Sequence, residues 1–131
     1  MATEFSVKAP NRPGQLAAVA SALGDAKVNI RGITGSTAGG QGTITVAVAD
    51  KDAGKARRAL KRAKIRVSKE RKSVEVRLQD KPGTLARAAK RLAKAKVNIE
   101  SAYVLGPGRG ATTIGFGVKN VRAAEKALGR R

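Results

Sequence analysis

The sequence predicts an α+β fold made of two copies of one β-α-β-β-α-β unit, and three observations lead to this prediction. A shift of 69 positions aligns residues 13–30 with residues 82–99, and 11 of these 18 positions are identical. Stretches with strand and helix periodicity follow in the same order in both copies. Each copy has a Pro-Gly pair between its first strand and its first helix. Because a unit of about 60 residues buries only about 60% of its surface alone, we expect two domains, residues 1–69 and 70–131, packed side by side.

The first unit has a recognisable succession of elements. Residues 5–9 alternate apolar and polar, as a half-buried strand does, and residues 43–48 do the same. The helix after the Pro-Gly pair has an apolar stripe made of Leu16, Val19, Ala20 and Leu23. The other predicted elements are a second strand from residues 28–31, a flexible hairpin loop over 35–42, a helix over 51–63 and a short fourth strand over 65–67.

The second unit repeats this order after a charged connector at residues 69–72. No fourth strand follows its last helix in the sequence, so the first strand of this unit is left as an expected open edge. The predicted elements are a strand over 73–79, a helix lined by Leu85, Ala89 and Leu92, strands over 97–105 and 112–118, and a helix lined by Val121, Ala124 and Leu128.

In a unit of this topology both helices cover one face of the sheet and leave the other face uncovered. On the third strands the uncovered face carries small residues, which are Thr43, Thr45 and Ala47 in the first unit and Thr113, Gly115 and Gly117 in the second. Because small residues let another surface approach closely, we expect two chains to pack sheet to sheet as a homodimer.

The chain contains no cysteine and no histidine. Their absence excludes thiol chemistry, disulfides and the commonest zinc sites, and it removes the usual general base at neutral pH. We therefore expect a protein that is not an enzyme, with no catalytic residue, no metal and no cofactor. No apolar run approaches the length of a transmembrane helix or a signal peptide, so we expect a cytoplasmic protein without a membrane partner.

The net charge of +19 makes nucleic acid or an acidic protein a candidate partner. Many basic residues recur on the polar faces of predicted helices, and such a charge run is usually a solvated face. They include Arg57, Arg58, Lys61 and Arg62 in the first unit and Arg87, Lys90, Arg91 and Lys94 in the second. A basic nucleic-acid or acidic-partner binding module, and a structural dimerisation module, therefore stay open as alternative functions.

The Pro-Gly turn places a helix N-terminus directly after a strand. Pro13 suits the first helical position, and Gly14 adds no side chain there. The backbone N–H groups of Gly14, Gln15 and Leu16 then have no intrahelical acceptor, and the helix dipole adds partial positive charge. Such a helix start would hold an anion, including the carboxylate of an amino acid.

Two asparagines stand near this turn. Asn11 precedes it and Asn29 lies near the start of the second strand, so each offers an amide donor and acceptor. Two interpretations stay open: both amides contact a ligand, or Asn11 only caps the helix and Asn29 is a tolerated strand residue.

The motif Asn-Arg-Pro-Gly-x-Leu at residues 11–16, followed by a helix and by Val-Asn-Ile at residues 28–30, resembles the ACT domain. ACT domains are small-molecule sensing modules attached to enzymes of amino-acid metabolism. The resemblance implies two tandem ferredoxin-like βαββαβ units, the second without a clear fourth strand, in a non-catalytic regulatory or sensory protein. Its partners would be a free amino acid, a separate regulated enzyme and a second copy of the chain.

The resemblance also implies two ligand sites between neighbouring units. One site would combine Asn98 with the first turn, that is with Asn11, Pro13, Gly14, Gln15 and Leu16. The other would combine Asn29 with the second turn, that is with Asp80, Pro82, Gly83, Thr84 and Leu85. Serine-binding members have a His two residues before the motif Asn, where this chain has Ala9 and Leu78, so a less polar ligand is expected. Because Asp80 replaces the Asn, it would attract an ammonium group and repel a carboxylate, and the two sites need not be equal.

Overall fold

The computed structural model describes residues 2–10, 13–108 and 110–129. The chain divides into two compact units, Ala2–Glu70 and the residues from Arg71 onward. Each unit has two helices, an antiparallel sheet and an apolar core of its own. The predicted α+β fold of two repeated units is therefore confirmed. None of the helices in these ranges is long and apolar enough to cross a membrane.

The first unit contains three complete strands, two α-helices, a short 3-10 helix at Asp50–Asp52 and the beginning of a fourth strand. The elements are β1 (Ala2–Pro10), α1 (Gln15–Asp25), β2 (Gly32–Ala38), β3 (Gln41–Ala49), α2 (Ala53–Arg62) and β4 (Val67–Gln79). The strand order is β2-β3-β1-β4, and β3 pairs antiparallel with both β1 and β2. In the part of β4 that belongs to this unit, Ser68 Oγ donates a hydrogen bond of 3.0 Å to the Ser6 carbonyl oxygen of β1.

The core of the first unit includes side chains from both helices and from the strands. Phe5, Val46 and Val48 project from the strands and are completely buried. The buried helical residues are Val19 and Leu23 of α1 and Ala53, Ala56, Ala59 and Leu60 of α2.

The predicted apolar stripe of α1 is only half correct. Val19 and Leu23 are buried, but Leu16 is 53% exposed and Ala20 is also exposed. The side of α1 that packs on the core also includes Ala22 and Ala26, which are four residues apart and lie beside Val19 and Leu23. Ala20 lies next to this stripe, and Leu16 lies in the first helical turn, one turn before the covered part. Leu16 is therefore available to a ligand or a partner.

The second unit begins with the residues of β4 from Arg71 onward. Its further elements are α3 (Thr84–Lys94), β5 (Ile99–Gly108), β6 (Ala111–Val118) and α4 (Val121–Ala127). The strand order is β4-β6-β5, and β6 pairs antiparallel with both neighbours. The N–H of Ala123 donates a hydrogen bond of 3.0 Å to Asn120 Oδ1, which caps α4. Among the residues that the structure describes, no fourth strand follows α4, as the sequence predicts.

The first helix of the second unit, α3, repeats the error made for α1. Ala88 and Leu92 of α3 are buried, whereas Leu85, which was predicted to line the core, is 50% exposed. Leu85 occupies the same place in α3 as Leu16 does in α1. In α4 the prediction is confirmed for Ala124, which is buried.

The two cores contain the same pair of side chains on interchanged strands. In the first unit Phe5 of β1 stands opposite Val46 of β3, and in the second Val74 of β4 stands opposite Phe116 of β6. All four side chains are at most 1% exposed. Each core therefore holds one Phe and one Val at the same cross-strand place, so the summed side-chain volume is the same.

Two predicted boundaries around β2 are wrong. Residues 28–31 form no strand, and β2 begins at Gly32. The loop predicted over residues 35–42 is a tight hairpin, because β2 extends to Ala38 and β3 begins at Gln41. The two turn residues, Gly39 and Gly40, have φ values of 57° and 82°. A two-residue hairpin turn of this kind needs positive φ at both positions, which explains the two glycines.

The charged run predicted as a connector lies inside a strand. β4 extends over 13 residues from Val67 to Gln79 and includes residues 69–72. The separate short strand predicted over residues 65–67 is therefore wrong, since only its last residue belongs to a strand. The run contains no apolar residue, and alternating hydrophobicity is the sequence signal for a half-buried strand.

Three helices are followed by a lysine in the left-handed conformation. These residues are Lys27, Lys64 and Lys96, with φ values of 64°, 61° and 59°. After α2, the Lys64 N–H donates to the Lys61 carbonyl oxygen at 2.9 Å, and the Ile65 N–H donates to the Leu60 carbonyl oxygen at 2.9 Å. This bond pair is a Schellman motif, in which glycine is the usual left-handed residue. For an L-residue the left-handed conformation costs about 1–2 kcal/mol, so these lysines lower the stability of the fold.

The sheet face that the sequence leaves uncovered is not free at its small residues. In the first unit Thr45 and Ala47 are buried, and the hydroxyls of Thr45 and Ser6 are hydrogen-bonded at 2.9 Å. In the second unit the Tyr103 ring lies so close to Gly115 that a Cβ there would be 2.5 Å from Cε2 of the ring. Thr45, Ala47, Gly115 and Gly117 are buried in a single chain, and only Thr43 and Thr113 are half-buried, so these positions offer little of the surface expected for sheet-to-sheet pairing. The homodimer itself stays a prediction.

Candidate functional site

Gly14 determines how the chain enters α1. It immediately precedes the helix and has a φ of 92°. Glycine adopts this left-handed conformation without strain, whereas a residue with a Cβ does so at a cost. Gly83 precedes α3 in the same way, with a φ of 90°. The prediction that Pro13 is the first helical residue is wrong, because Pro13 and Gly14 form a turn and the helix begins at Gln15.

The first turn of α1 directs backbone donors out of the helix end. The first hydrogen bond of the helix is donated by the Ala18 N–H to the Gly14 carbonyl oxygen at 3.0 Å. The N–H groups of Leu16 and Ala17 precede this bond, and Gly14 has no side chain to cap them. The positive end of the helix dipole lies at the same place, so this helix start favours an anion.

A cavity of about 570 Å³ opens beside this helix start, within the first unit. Its walls are the Pro-Gly turn, the first turn of α1, β2 and the beginning of β3. The larger apolar residues of the lining are Leu16, Ile33 and Ile44, and its hydroxyl residues are Thr34, Ser36, Thr37 and Thr43. None of the described residues that line it, which exclude residues 11 and 12, is charged. A volume in the range of about 300–1,000 Å³ and a mainly apolar lining with a few polar groups are typical of small-molecule sites.

The second unit has a smaller cavity at the equivalent turn. Its volume is about 230 Å³, and none of residues 99–106 of β5 lines it. Thr84 Oγ1 donates to the carbonyl oxygens of Gln79 at 2.8 Å and Lys81 at 3.1 Å, which ties the turn to the end of β4. Gln15, the first residue of α1, stands at the equivalent place and has no hydroxyl with which to make these bonds. The two turns therefore share a backbone conformation and differ in the space beside them.

The strand register explains why the second cavity is smaller. In the first unit Ala9 pairs with Gly42, and in the second unit Leu78 pairs with Thr112 at the same place. Gly35 pairs with Ile44 in the first unit, and Val104 pairs with Ile114 in the second. Three small residues of the first unit are thus replaced by larger ones in the second. Two of the larger residues, Leu78 and Thr112, line the second cavity and reduce its volume.

The predicted site residues fall into three groups. Those that line a cavity are Pro13, Gly14, Gln15 and Leu16 in the first unit and Asp80, Gly83, Thr84 and Leu85 in the second. Asn29 and Asn98 are exposed, lie before β2 and β5, and line neither cavity, and Pro82 is also absent from the lining. Asn11 lies outside the described residues, so its predicted ligand contact stays a prediction.

Sequence reasoning missed the contribution of β2 to the first cavity. Ile33, Ser36 and Thr37 line it, although residues 35–42 were predicted to be a flexible loop. One signal was present in the sequence, because the paired glycines at residues 39 and 40 are typical of a two-residue hairpin turn. That turn extends both strands and places the hydroxyls of Ser36 and Thr37 on a regular strand.

The fold and the repeated helix-start turn define a tandem ferredoxin-like protein with a cavity beside the first of these turns. The ACT domain model matches residues 3–65 and 72–128. Because these two segments make up most of the chain, the protein belongs to the ACT domain family. No curated protein sequence matches the chain.

Solved structures of low sequence identity share this fold. Protein BT0572 from Bacteroides thetaiotaomicron is 21% identical with a TM-score of 0.81, and the match covers 97% of this chain and 85% of that protein. The ligand-free regulatory subunit of aspartate kinase from Thermus thermophilus is 21% identical with a TM-score of 0.75, covering 98% of this chain and 88% of that subunit. The corresponding subunit from Thermus flavus is 20% identical with a TM-score of 0.71, covering 98% and 90%. At this identity the likeness establishes the fold.

Proposed function

We propose that the protein is a non-catalytic regulatory or sensory protein that binds a free amino acid in the cavity of the first unit. The observation that supports this most strongly is the position of the cavity, which opens at the N-terminal end of α1. The N–H groups of Leu16 and Ala17 suit the carboxylate of the ligand. The hydroxyl oxygen of Thr37, which stands opposite Gly42 on the same face of the sheet as Ile33 and Ile44, suits its ammonium group, since a hydroxyl accepts hydrogen bonds as well as donates them.

The lining favours an amino acid with an aliphatic side chain. Leu16, Ile33 and Ile44 offer apolar surface, and Leu16 and Ile33 are 53% and 44% exposed without a ligand. Covering these side chains would remove apolar surface from water at about 25 cal/mol per Å². Among the described residues of the lining, a charged ligand side chain would find no charged residue to pair with. The presence of Ala9, where related serine binders have a His, agrees with a less polar ligand.

We further propose that the two units are unequal as ligand sites. The second cavity has less than half the volume of the first, and it contains Asp80, which would repel a carboxylate placed beside it. The predicted contributions of Asn98 to the first site and of Asn29 to the second stay predictions. The regulatory output would pass to a separate enzyme or to a change of assembly, and the homodimer belongs to the same proposal. The aspartate kinase regulatory subunits among the similar structures support this class of function.

A thermal-unfolding screen against the twenty amino acids tests the proposed function. A ligand present at about 100 times its dissociation constant should add about 2.7 kcal/mol to the free energy of unfolding, because it binds only the folded state. We expect a rise in Tm of several degrees for one or a few aliphatic amino acids and none for the charged ones. If no amino acid raises Tm at fixed salt and protein concentration, the proposed function is wrong.

The double substitution Asn11→Ala with Asn98→Ala tests the predicted amide contacts. We expect amino-acid affinity to be lost, because each amide would leave a polar group of the bound ligand unpaired. Isothermal titration of the full chain measures the affinity, and circular dichroism checks that the fold is unchanged. The control is Asn120→Ala, which removes the cap of α4 and should lower Tm without lowering affinity. Unchanged affinity in the double variant would rule out the two asparagines and leave the cavity itself as the site.

A further inference from the structure

A second feature of the first unit is a basic groove that the proposed amino-acid site does not use. It has a volume of about 380 Å³ and lies between the C-terminal half of α2 and the beginning of β4. Its lining residues are Arg57, Lys61, Lys64, Ile65, Arg66 and Val67. Four of these six residues are positively charged and none is acidic. We call this feature the basic groove.

Most of the positive charge in the basic groove is not neutralised by ion pairs. Arg57 donates two hydrogen bonds to the Glu70 carboxylate, at 2.9 and 2.6 Å, which raises the pKa of its guanidinium. Lys61, Lys64 and Arg66 are exposed and form no salt bridge within the part of the chain that the structure describes. Three full positive charges therefore face solvent around one depression of the surface.

The helix dipole opposes anion binding at this place, because the C-terminal end of α2 carries about half a negative charge. Three unneutralised side-chain charges outweigh that half charge. Lys64 is one of the three left-handed lysines that follow helices, with a φ of 61°, and it is the one that lines the basic groove. A positive charge is thus held in the groove at a position where it costs conformational stability.

We propose that the basic groove binds the phosphate backbone of a nucleic-acid duplex independently of base sequence. Basic side chains on a rigid helix and strand are the usual contacts to backbone phosphates. A duplex is favoured over a single strand because it carries one charge per about 1.7 Å of axis, whereas single-strand binding relies on aromatic stacking. The three aromatic residues of the chain, Phe5, Tyr103 and Phe116, are all buried.

Other partners fit the basic groove less well. A protein partner needs a buried apolar or aromatic centre in its interface, and the groove offers only Ile65 and Val67, both half-buried. A membrane surface would require an apolar helix face beside the charges, and the apolar face of α2 is buried in the core. Charge complementarity therefore points to a polyanion whose phosphates the lysines and arginines can reach.

The test measures binding of the full chain to a labelled duplex of about 20 base pairs by fluorescence anisotropy between about 50 and 200 mM salt. The groove variant carries Lys61→Gln, Lys64→Gln and Arg66→Gln. Each lost phosphate contact should lower the slope of log affinity against log salt by about 0.9, so we expect a change of about 3 and a loss of affinity of about tenfold or more. The matched control carries Lys90→Gln, Arg91→Gln and Lys94→Gln on α3, which remove the same number of charges.

For the α3 control variant we expect the slope of log affinity against log salt to change by less than about 1. Equal losses in the two variants would overturn the proposal, because binding would then follow net charge and not the groove. Binding of polyglutamate or heparin without binding of the duplex would overturn it as well and indicate an acidic partner. The amino-acid screen is independent of this result, so either proposal can fail while the other stands.

The single substitution Lys64→Gly separates binding from folding. It removes one charge from the groove and also relieves the left-handed strain, so Tm should stay the same or rise while duplex affinity falls several-fold. A defect in folding would instead lower both Tm and duplex affinity. Lys96→Gly is the matched control at the end of α3, and it should have the same effect on Tm without the loss of affinity. If both substitutions weaken duplex binding equally, the basic groove is not the binding site.

Discussion

The substitution Gly35→Val should lower amino-acid affinity by about 10–100-fold and leave the fold intact. A Cβ at Gly35 meets no atom within 4 Å, so the valine fits the unliganded protein and fills part of the first cavity. A ligand would then have to displace the new side chain, which costs about 1–3 kcal/mol in a packed site. Isothermal titration measures the affinity for the amino acid that the thermal screen identifies.

The second unit provides the control for this experiment. Val104 stands opposite Ile114 just as Gly35 stands opposite Ile44, so a valine is compatible with this place in the sheet. The substitution Val104→Gly should leave affinity at the first cavity unchanged. Unaltered affinity in the Gly35→Val variant, with its fold verified by circular dichroism, would show that the ligand does not occupy the first cavity.

The largest effect on stability is expected from the Phe and Val pair of the first core. Phe5→Val leaves a cavity and should cost about 2–3 kcal/mol, and Val46→Phe overpacks the same place and should cost about 1–3 kcal/mol. The double variant restores the summed volume and reproduces the arrangement of Val74 and Phe116 in the second unit. We expect its free energy of unfolding to lie within about 1 kcal/mol of the wild type, since side chains in contact couple strongly.

Urea denaturation followed by circular dichroism measures this double-mutant cycle. The control has the same composition in a different register, Phe5→Val with Val48→Phe, because Val48 pairs with Thr3 and not with Phe5. We expect little rescue in that variant. If the losses of unfolding free energy from Phe5→Val and Val46→Phe simply add in the double variant, the Phe and Val of the first core cannot exchange places as they do in the second core.

The sequence was sufficient for the order of the elements because the repeat and the hydrophobic periods agree with each other. Alternation identified β1, β3 and residues 73–79 of β4, and helical spacing identified α1 to α4. The periodicity did not identify which end of an apolar stripe is buried. Leu16 and Leu85 are at helical spacing from core residues, yet they lie beyond the end of the core and are half exposed. Only tertiary packing decides that question.

Backbone conformation was the second limit of prediction. The role of Gly14 depends on a φ of 92°, and a Pro-Gly pair is compatible both with a helix start at Pro13 and with a turn before Gln15. The strand character of residues 69–72 was hidden because all four of these residues are charged. These residues belong to the sheet through their backbone. Hydrophobic periodicity reports only on side chains, so it could not reveal this strand.

The candidate site was predictable at its helix side and not at its strand side. Gly14, Gln15 and Leu16 could be identified because a helix start after a strand has a known affinity for anions. The contribution of Ile33, Ser36 and Thr37 depends on the register of β2 with β3, which the turn at Gly39 and Gly40 determines. The difference between the two cavities likewise arises from residues that stand opposite each other across strands, far apart in sequence.

The tight hairpin between β2 and β3 has a consequence for how quickly a ligand could be captured. Ser36 and Thr37 lie in ladder positions opposite Thr43 and Gly42, so this wall of the cavity is already ordered before any ligand arrives. A pre-organised wall avoids the entropic cost of immobilising a loop on binding. The rate of association would therefore be limited by diffusion and orientation of the ligand, and a rise or fall in its concentration would be registered without waiting for a slow closing motion.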